Sequence, residues 1–217
     1  MPNWCSNTIT ITGDKKIISG ITRLIESIKN TEGEEPGVFA TLVGREPHIT
    51  EAQYHGGAWY DSNVNYWGTK WDVSYDDCNF QYSDEEISLH PETAWSPPIG
   101  FCEMMVKEYK KIRIHIFYSE PGCDFSGETD IYLDEEGILC SDDSEYSYTE
   151  GIYFLDKEMF WGEVESMIDS YLDEEEGNAE EFVNEYYSYV SEEDKKEIIE
   201  LYNEQKEIYA KESESNN

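Results

Sequence analysis

Between residues 4 and 118 the hydrophobic period of the chain changes repeatedly, and that succession limits the architecture more than any other feature of the sequence. In residues 4–12, Thr8, Thr10 and Thr12 alternate with Ile9 and Ile11, the period of two expected of a strand with one buried face. Gly13 stops the run, and Asp14 can cap a helix whose Ile17, Ile21, Leu24, Ile25 and Ile28 recur at three- and four-residue steps. Residues 30–36 end that helix. Two β-like runs, 71–82 and 86–95, are separated by the polar Ser83, Asp84 and Glu85 and read as a hairpin. Ser96 followed by Pro97 and Pro98 suits a helix start, because proline lacks an N–H where the first turn needs none. Ile99, Cys102, Met105, Val106 and Tyr109 then mark one helical face. Residues 112–118 return to alternation, with Ile112, Ile114, Ile116 and Tyr118 on one side.

The resulting order, βαββαβ, is that of the split βαβ or ferredoxin-like arrangement, in which two helices cross one face of an antiparallel four-stranded sheet. Residues 37–58 show no sustained period and read as a loop or small insertion. A further strand is predicted over 129–133, with 138–140 pairing back as a short hairpin. Beyond it the pattern is helical. Phe160, Trp161, Val164, Met167, Ile168, Tyr171 and Leu172 form an amphipathic stripe that Gly177 ends. Asn178 with Glu181 has capping-box spacing, and Ser191 can cap a last helix carrying Ile198, Tyr202 and Tyr209. The expected fold class is α+β: a ferredoxin-like domain with extra strands over 1–140, an acidic helical extension over 141–211, and a disordered tail over 212–217.

Charge divides the chain unevenly. Of 49 acids and 15 bases, residues 1–120 hold 18 and 10, net −8, leaving 31 and 5, net −26, for residues 121–217. The total of −34 repels phosphate backbones and anionic membranes, so no direct nucleic-acid or membrane partner is expected, and an electrostatic partner should be basic. Aromatic residues continue through the acidic half at Phe160, Trp161, Tyr171, Phe182 and Tyr186, which favours a folded region over disorder.

The five cysteines, Cys5, Cys78, Cys102, Cys123 and Cys140, contain no CxxC pair, so neither a disulfide framework nor a zinc ribbon fits. The N-terminus has no signal-peptide pattern, and no stretch approaches the roughly 18 apolar residues of a membrane helix. A cytoplasmic location is the resulting expectation. The four histidines (His48, His55, His90, His115) form no HExxH pattern, and phosphate-loop, dinucleotide and nucleophile-elbow motifs are missing. No cofactor or metal is expected. The acidic runs Asp142-Asp143-Ser144-Glu145 and 173–176 lack the calcium-loop pattern, so cation binding there would be weak and nonspecific.

Four segments carry a family resemblance: Asn3-Trp4-Cys5-x-Asn7, Trp67-Gly68-Thr69-Lys70-Trp71-Asp72, Thr93-Ala94-Trp95-Ser96-Pro97-Pro98, and Tyr118-Ser119-Glu120-Pro121-Gly122 with Phe125 and Gly127 after it. Together they resemble the YubB-type, or Api-like, ferredoxin-like family, small proteins of bacteriophages, plasmids and other mobile elements whose biochemical function is not established. The resemblance covers roughly residues 1–137 and implies the same βαββαβ fold. It supplies no catalytic mechanism, and the acidic region after about residue 140 has no counterpart in these motifs.

The sequence offers two candidate sites. On the last helix Glu193, Glu197, Glu200, Glu204 and Glu207 step by four, three, four and three, which lines their carboxylates along one face. Like charges so spaced destabilise a helix unless something basic meets them, although an acidic face is also what an ordinary solvated helix presents. Trp161 and Tyr202 are the aromatic residues expected to add contacts beside them. The leading expectation is a non-enzymatic interaction protein of a phage or mobile element that binds a basic surface of a host protein, a nucleic-acid-handling or defence protein being the natural target. The alternative is a small-ligand-binding or enzymatic module with an aromatic cleft built from Trp4, Trp67, Lys70, Trp71, Asp72, Trp95 and Glu120. Against it stands the reading of these tryptophans as core anchors.

Overall fold

The computed structural model describes residues 3–29, 36–45, 47–174 and 177–215. They form two compact units, Met1–Tyr148 and Thr149–Asn217.

The first unit opens with β1 (Trp4–Gly13) and α1 (Lys15–Lys29). The Asp14 carboxylate accepts the Lys16 N–H at 2.8 Å and so caps α1. The buried face of α1 is Ile18, Ile21, Ile25 and Ile28; Leu24, expected inside, is exposed. Residues 30–35, expected to end the helix, lie outside the described residues.

Residues 37–58 are not a loop. They contain α2 (Val38–Val43), α3 (Glu51–Gln53) and a π-helical stretch, Tyr54–Ala58, running into α4 (Trp59–Trp67). Helices this short display too few turns for a period to be legible, and α2 takes its cap from Asp72, more than thirty residues away. The expected strand over 71–82 is also corrected. Most of it is a loop with a 3₁₀ turn at Asp76–Cys78, and only β2 (Gln81–Tyr82) pairs, with β3 (Glu86–Leu89). The aromatic residues that gave the segment its β-like look pack as side chains from irregular backbone, Tyr75 against Phe80 at 5.1 Å between ring centroids.

β4 (Glu92–Ala94), α5 (Ile99–Tyr109), β5 (Ile112–Glu120), β6 (Phe125–Leu133) and β7 (Leu139–Tyr146) complete the unit. Ser96 does not cap α5; its hydroxyl donates to Gly68 O at 2.6 Å. The antiparallel sheet runs β2-β3-β1-β5-β6-β7, with β4 also on β1. Its segment β2-β3-β1-β5 is the ferredoxin-like strand order, and β6 and β7 extend it past β5. Ile9, Ile11, Ile87, Leu89, Ile114, Ile116 and Ile131 from the strands meet Ile21 and Ile25 of α1 and Phe101, Cys102 and Met105 of α5, all fully buried.

β7 is longer than the 138–140 expected, and residues 141–146, assigned by pattern to the helical extension, lie in it. Its Asp142, Asp143 and Glu145 are exposed on a strand paired on one side only, where charge discourages further pairing. Successive strand side chains point to opposite faces, so the Asp142-Asp143 pair does not converge on one cation.

The second unit holds α6 (Tyr148–Leu155, beginning at the boundary), α7 (Lys157–Glu174), α8 (Ala179–Tyr186) and α9 (Glu192–Ser215). α6 had no counterpart among the expected helices. Asn178 caps α8, accepting the Glu181 N–H at 3.0 Å, and Ser191 caps α9, accepting the Asp194 N–H at 3.1 Å, both as the sequence predicts. The core is aromatic: Phe160, Val164, Ile168, Phe182, Tyr187, Ile198 and Tyr202 are buried, with Phe182 5.5 Å from both Tyr187 and Tyr202. The acidic run at 173–176 has its last two residues, and the expected tail its last two, outside the described residues; the α9 backbone continues to Ser215. No described helix is long and apolar enough to cross a membrane.

Candidate functional site

The last helix presents the carboxylate row as the sequence spacing requires. Ile198 and Tyr202 are fully buried, and Glu193, Glu197, Glu200, Glu204 and Glu207, on the opposite side of the 3.6-residue turn, are all exposed. Lys211 pairs with Glu207 at 3.6 Å at the far end; the other four have no ion-pair partner among the described residues. Of the two aromatic residues expected beside them, Tyr202 is not available to a partner. It has no exposed surface, and its hydroxyl donates to Gly177 O at 3.0 Å. Its period places it on the core side of the helix. Trp161 is half-buried, 5.3 Å from Phe160.

The four motif segments, scattered over 120 residues of sequence, meet at one end of the sheet. Trp4 pairs with Ala94 and Cys5 with Thr93 across β1 and β4, and the Trp95 N–H donates to Asn3 O at 3.0 Å. Asn7 Nδ2 donates to Thr93 Oγ1, Cys5 O and Pro91 O within 3.0 Å. Thr69 Oγ1 donates to Ala94 O at 3.1 Å, joining the Trp67 segment to β4. Asn3 Nδ2 reaches Cys123 Sγ at 3.2 Å. Gly68, at φ 87°, ends α4 so close to the start of α5 that a Cβ on it would stand 3.1 Å from Gly100 N. Thr69, Thr93, Ser119 and Glu120 are buried polar residues of this network.

Beside the network lies a cleft of about 560 Å³ lined by Trp4, Trp71, Asp72, Val73, Ser74, Asp77, Glu92, Thr93 and Ala94. Trp4 and Trp71 are exposed, with ring centroids 6.1 Å apart, and Lys70 Nζ stands 4.1 Å from the Trp71 ring centroid. The loop forming one wall is fixed from several directions. Asn63 Nδ2 donates to Lys70 O at 2.9 Å, and Val38 N–H to Val73 O at 3.0 Å. Asp72 accepts the N–H groups of Phe39, Ala40 and Val73 at 2.7 to 2.9 Å. Burial pushes the Asp72 carboxyl above its ordinary value against the pull of these donors. Asp72 is therefore a helix cap supplied from a distant segment, and Gly37 leaves room for it, since a Cβ there would overlap its carboxylate.

The structure brings only part of the expected cleft together. Trp67 is buried against Phe39, donating its indole N–H to Gly44 O at 3.0 Å, so it is a core anchor. Trp95 is exposed with φ 74°, and neither it nor Lys70 nor Glu120 lines the cleft. Glu120 is 2% exposed and accepts the Gly122 N–H at 2.8 Å. Burial works against its charge, but hydrogen bonds from the Cys123 thiol, the Gly122 and Cys123 N–H groups and Asn3 hold its carboxyl below the ordinary value. Burial, with the Glu120 charge adding, raises the Cys5 thiol to about 12, so it is no nucleophile. Sequence reasoning missed Glu92, Ser74 and Asp77 in the cleft. Nothing local marks them, because they meet only when the 71–77 loop packs beside β4.

Sheet order, crossing helices and a C-terminal helical extension define the molecule as a ferredoxin-like α+β protein with added β6–β7 and an acidic helical region. The chain belongs to the Api92-like family: residues 67–214 match the model of the ferredoxin-like domain in Api92-like proteins. That match takes in the acidic region after residue 140, which is thus part of the family pattern and not foreign to it. Among solved structures, the chain is similar to the crystal structure of protein Api92 from Yersinia pseudotuberculosis. The identity is 11%, the alignment covers 68% of this chain and 99% of that one, and the TM-score is 0.43. No curated protein matches.

Proposed function

We propose that the protein is a non-enzymatic interaction protein, encoded by a phage or similar mobile element, that occupies a basic surface of a host protein. A surface that handles nucleic acid, or one used in defence, fits best because it is built to accept a row of negative charges. One observation carries the reading: the five carboxylates of α9 form a single exposed row opposite the Ile198 and Tyr202 contacts that anchor the helix. Such a row costs helix stability in isolation, and Glu193, Glu197, Glu200 and Glu204, unlike Glu207 with its Lys211, would gain a Coulombic partner on binding. The mechanism is occlusion by charge complementarity, with fast association that weakens as salt rises.

The test is capture of host proteins on the immobilised full chain at low and high salt, beside a variant with Glu193, Glu197, Glu200, Glu204 and Glu207 all changed to Gln. The expected result is capture of a basic protein that is released by salt and by duplex DNA competitor, and lost in the variant. Capture that survives both salt and the five substitutions refutes the proposal.

A further inference from the structure

A second pocket, of about 350 Å³, opens where α5 begins beside β5, β6 and β7, and all of its lining residues belong to the first unit. The strand register builds it. Tyr118 pairs with Gly127 across β5 and β6, and Gly127 with Glu145 across β6 and β7, so the three stand in one row on one face of the sheet. The missing side chain at Gly127 lets the Tyr118 ring lie along that row, since a Cβ there would stand 2.5 Å from the Tyr118 hydroxyl. The Phe125 ring meets Tyr118 edge to face, 6.2 Å between centroids. The two rings touch, so they form one wall, and the free volume lies over them rather than between them. Pro97, Ile99 and Tyr146 complete the apolar lining.

The polar groups of the lining are few. The Ser126 hydroxyl is engaged, donating to Ser147 O at 2.8 Å. Glu145 is exposed, and its carboxylate has no hydrogen-bond or ion-pair partner among the described residues; no Lys, Arg or His lines the pocket with it. Burial, with the Glu145 charge adding, raises the Tyr118 hydroxyl above its ordinary value. The ring therefore stays a neutral phenol, and Glu145 is the single charge of the pocket.

A helix N-terminus ordinarily favours an anion, but that of α5 is blunted. Pro97 and Pro98 carry no N–H, and the Ile99 N–H already donates to Pro97 O at 2.9 Å. The sign of the site is thus set by Glu145. A metal ion is a poor match, because no group of His, Cys, Asp and Glu among the described residues could hold one. What remains is an organic cation with an apolar body, which aromatic walls and one unpaired carboxylate suit together. The volume is near the lower end for ligand sites and admits one ring on a short arm.

We propose that this pocket binds a small organic ammonium, an aromatic ring on a short alkylamine chain, with the ring against Tyr118, Phe125 and Ile99 and the ammonium paired with Glu145. Pro97, Tyr118, Phe125 and Gly127 come from two of the motif segments that the carboxylate row of α9 leaves without a role. The proposal does not rest on the function assigned to that row.

The probe is 2-phenylethylammonium, titrated into the full chain at neutral pH and about 0.15 M salt, where nonspecific attraction to the acidic surface is screened. Binding is followed by the NMR signals of the isoleucine methyl groups. The expected result is a saturable ring-current shift at Ile99, with affinity about two- to fivefold weaker in Glu145→Gln. Ethylammonium, which lacks the ring, should bind at least about tenfold more weakly. The neutral 2-phenylethanol and the anionic 3-phenylpropionate should both bind more weakly than the amine.

Ethylammonium binding as tightly as the probe overturns the pocket, since only counter-ion attraction is then at work. Equal binding of the alcohol or the carboxylate overturns the choice of a cation, and unchanged affinity in Glu145→Gln overturns its anchor. No saturable shift at Ile99, or shifts confined to other isoleucines, overturns the site itself.

Discussion

Changing Tyr153 to phenylalanine deletes one oxygen, and the structure says what that oxygen holds. It accepts the Ser191 N–H at 2.9 Å and donates to Asp194 Oδ2 at 2.7 Å. Ser191 donates its hydroxyl to the same carboxylate oxygen at 2.7 Å, and Lys157 its ammonium at 3.1 Å. The Tyr153 hydroxyl therefore closes the N-terminal cap of α9, the helix that carries the carboxylate row. Tyr153 is 7% exposed and the Asp194 side chain 19%, so water replaces the lost partner poorly. A neutral bond at about 1 kcal/mol and one to a charged acceptor at about 1.5–3 kcal/mol, reduced for partial hydration, give an expected loss of about 1.5–2.5 kcal/mol.

The same contacts fix the pH dependence. Hydrogen bonds from Tyr153 and Ser191, with Lys157 adding, hold the Asp194 carboxyl below its ordinary value of 3.8. The folded state then binds that proton less tightly than the unfolded one. The contribution is complete above the ordinary value and is lost as pH falls through the folded one. Urea unfolding followed by circular dichroism, on wild type, Tyr153→Phe, Asp194→Ala and the double variant, yields the coupling between the two groups at neutral and acidic pH. The reasoning fails if Tyr153→Phe costs under about 0.5 kcal/mol, the range of ordinary surface changes. It also fails if the coupling grows on acidification.

Two further outcomes are expected. Asp72→Ala should strip the N–H groups of Phe39, Ala40 and Val73 of their acceptor, costing about 1–3 kcal/mol. Hydrogen exchange should show those amides losing protection together, and unchanged protection would mean the cap lies elsewhere. A hydrogen bond to Glu120, opposed in part by Asn3, raises the thiol pKa of the exposed Cys123. Glu120→Gln should therefore speed alkylation of Cys123 at neutral pH while the buried Cys5, Cys78 and Cys102 stay unreactive until unfolding; an unchanged rate counts against that pairing.

β1, α1, α5, β5, α8 and α9 were all legible in the sequence, because each carries several turns or pleats of one period and most have a local stop or cap at hand. The short helices α2 and α3 were not, and neither was the loop over 71–80. α2 borrows its cap from Asp72, and the loop is held by bonds from Asn63 and Val38, interactions that no window of sequence contains. The α9 carboxylate row was legible for the same reason as the helix itself, since spacing by three and four fixes a face. Tyr202, expected to add contacts beside the carboxylates, follows Ile198 by four residues, a spacing that already puts it on the core side, where it packs against Phe182 and donates to Gly177 O.

The sequence alone determined β1, α1, α5 and β5, the frame of the ferredoxin-like order, together with the concentration of charge in the later residues and the single face of glutamates. These depend on interactions within a turn or two of the backbone. Tertiary structure decided which tryptophans are core and which are surface: Trp67 buried on Phe39, Trp4 and Trp71 left open beside Glu92. An indole in a sequence says only that a large apolar surface must meet something. What it meets is set by segments that close on it from far along the chain.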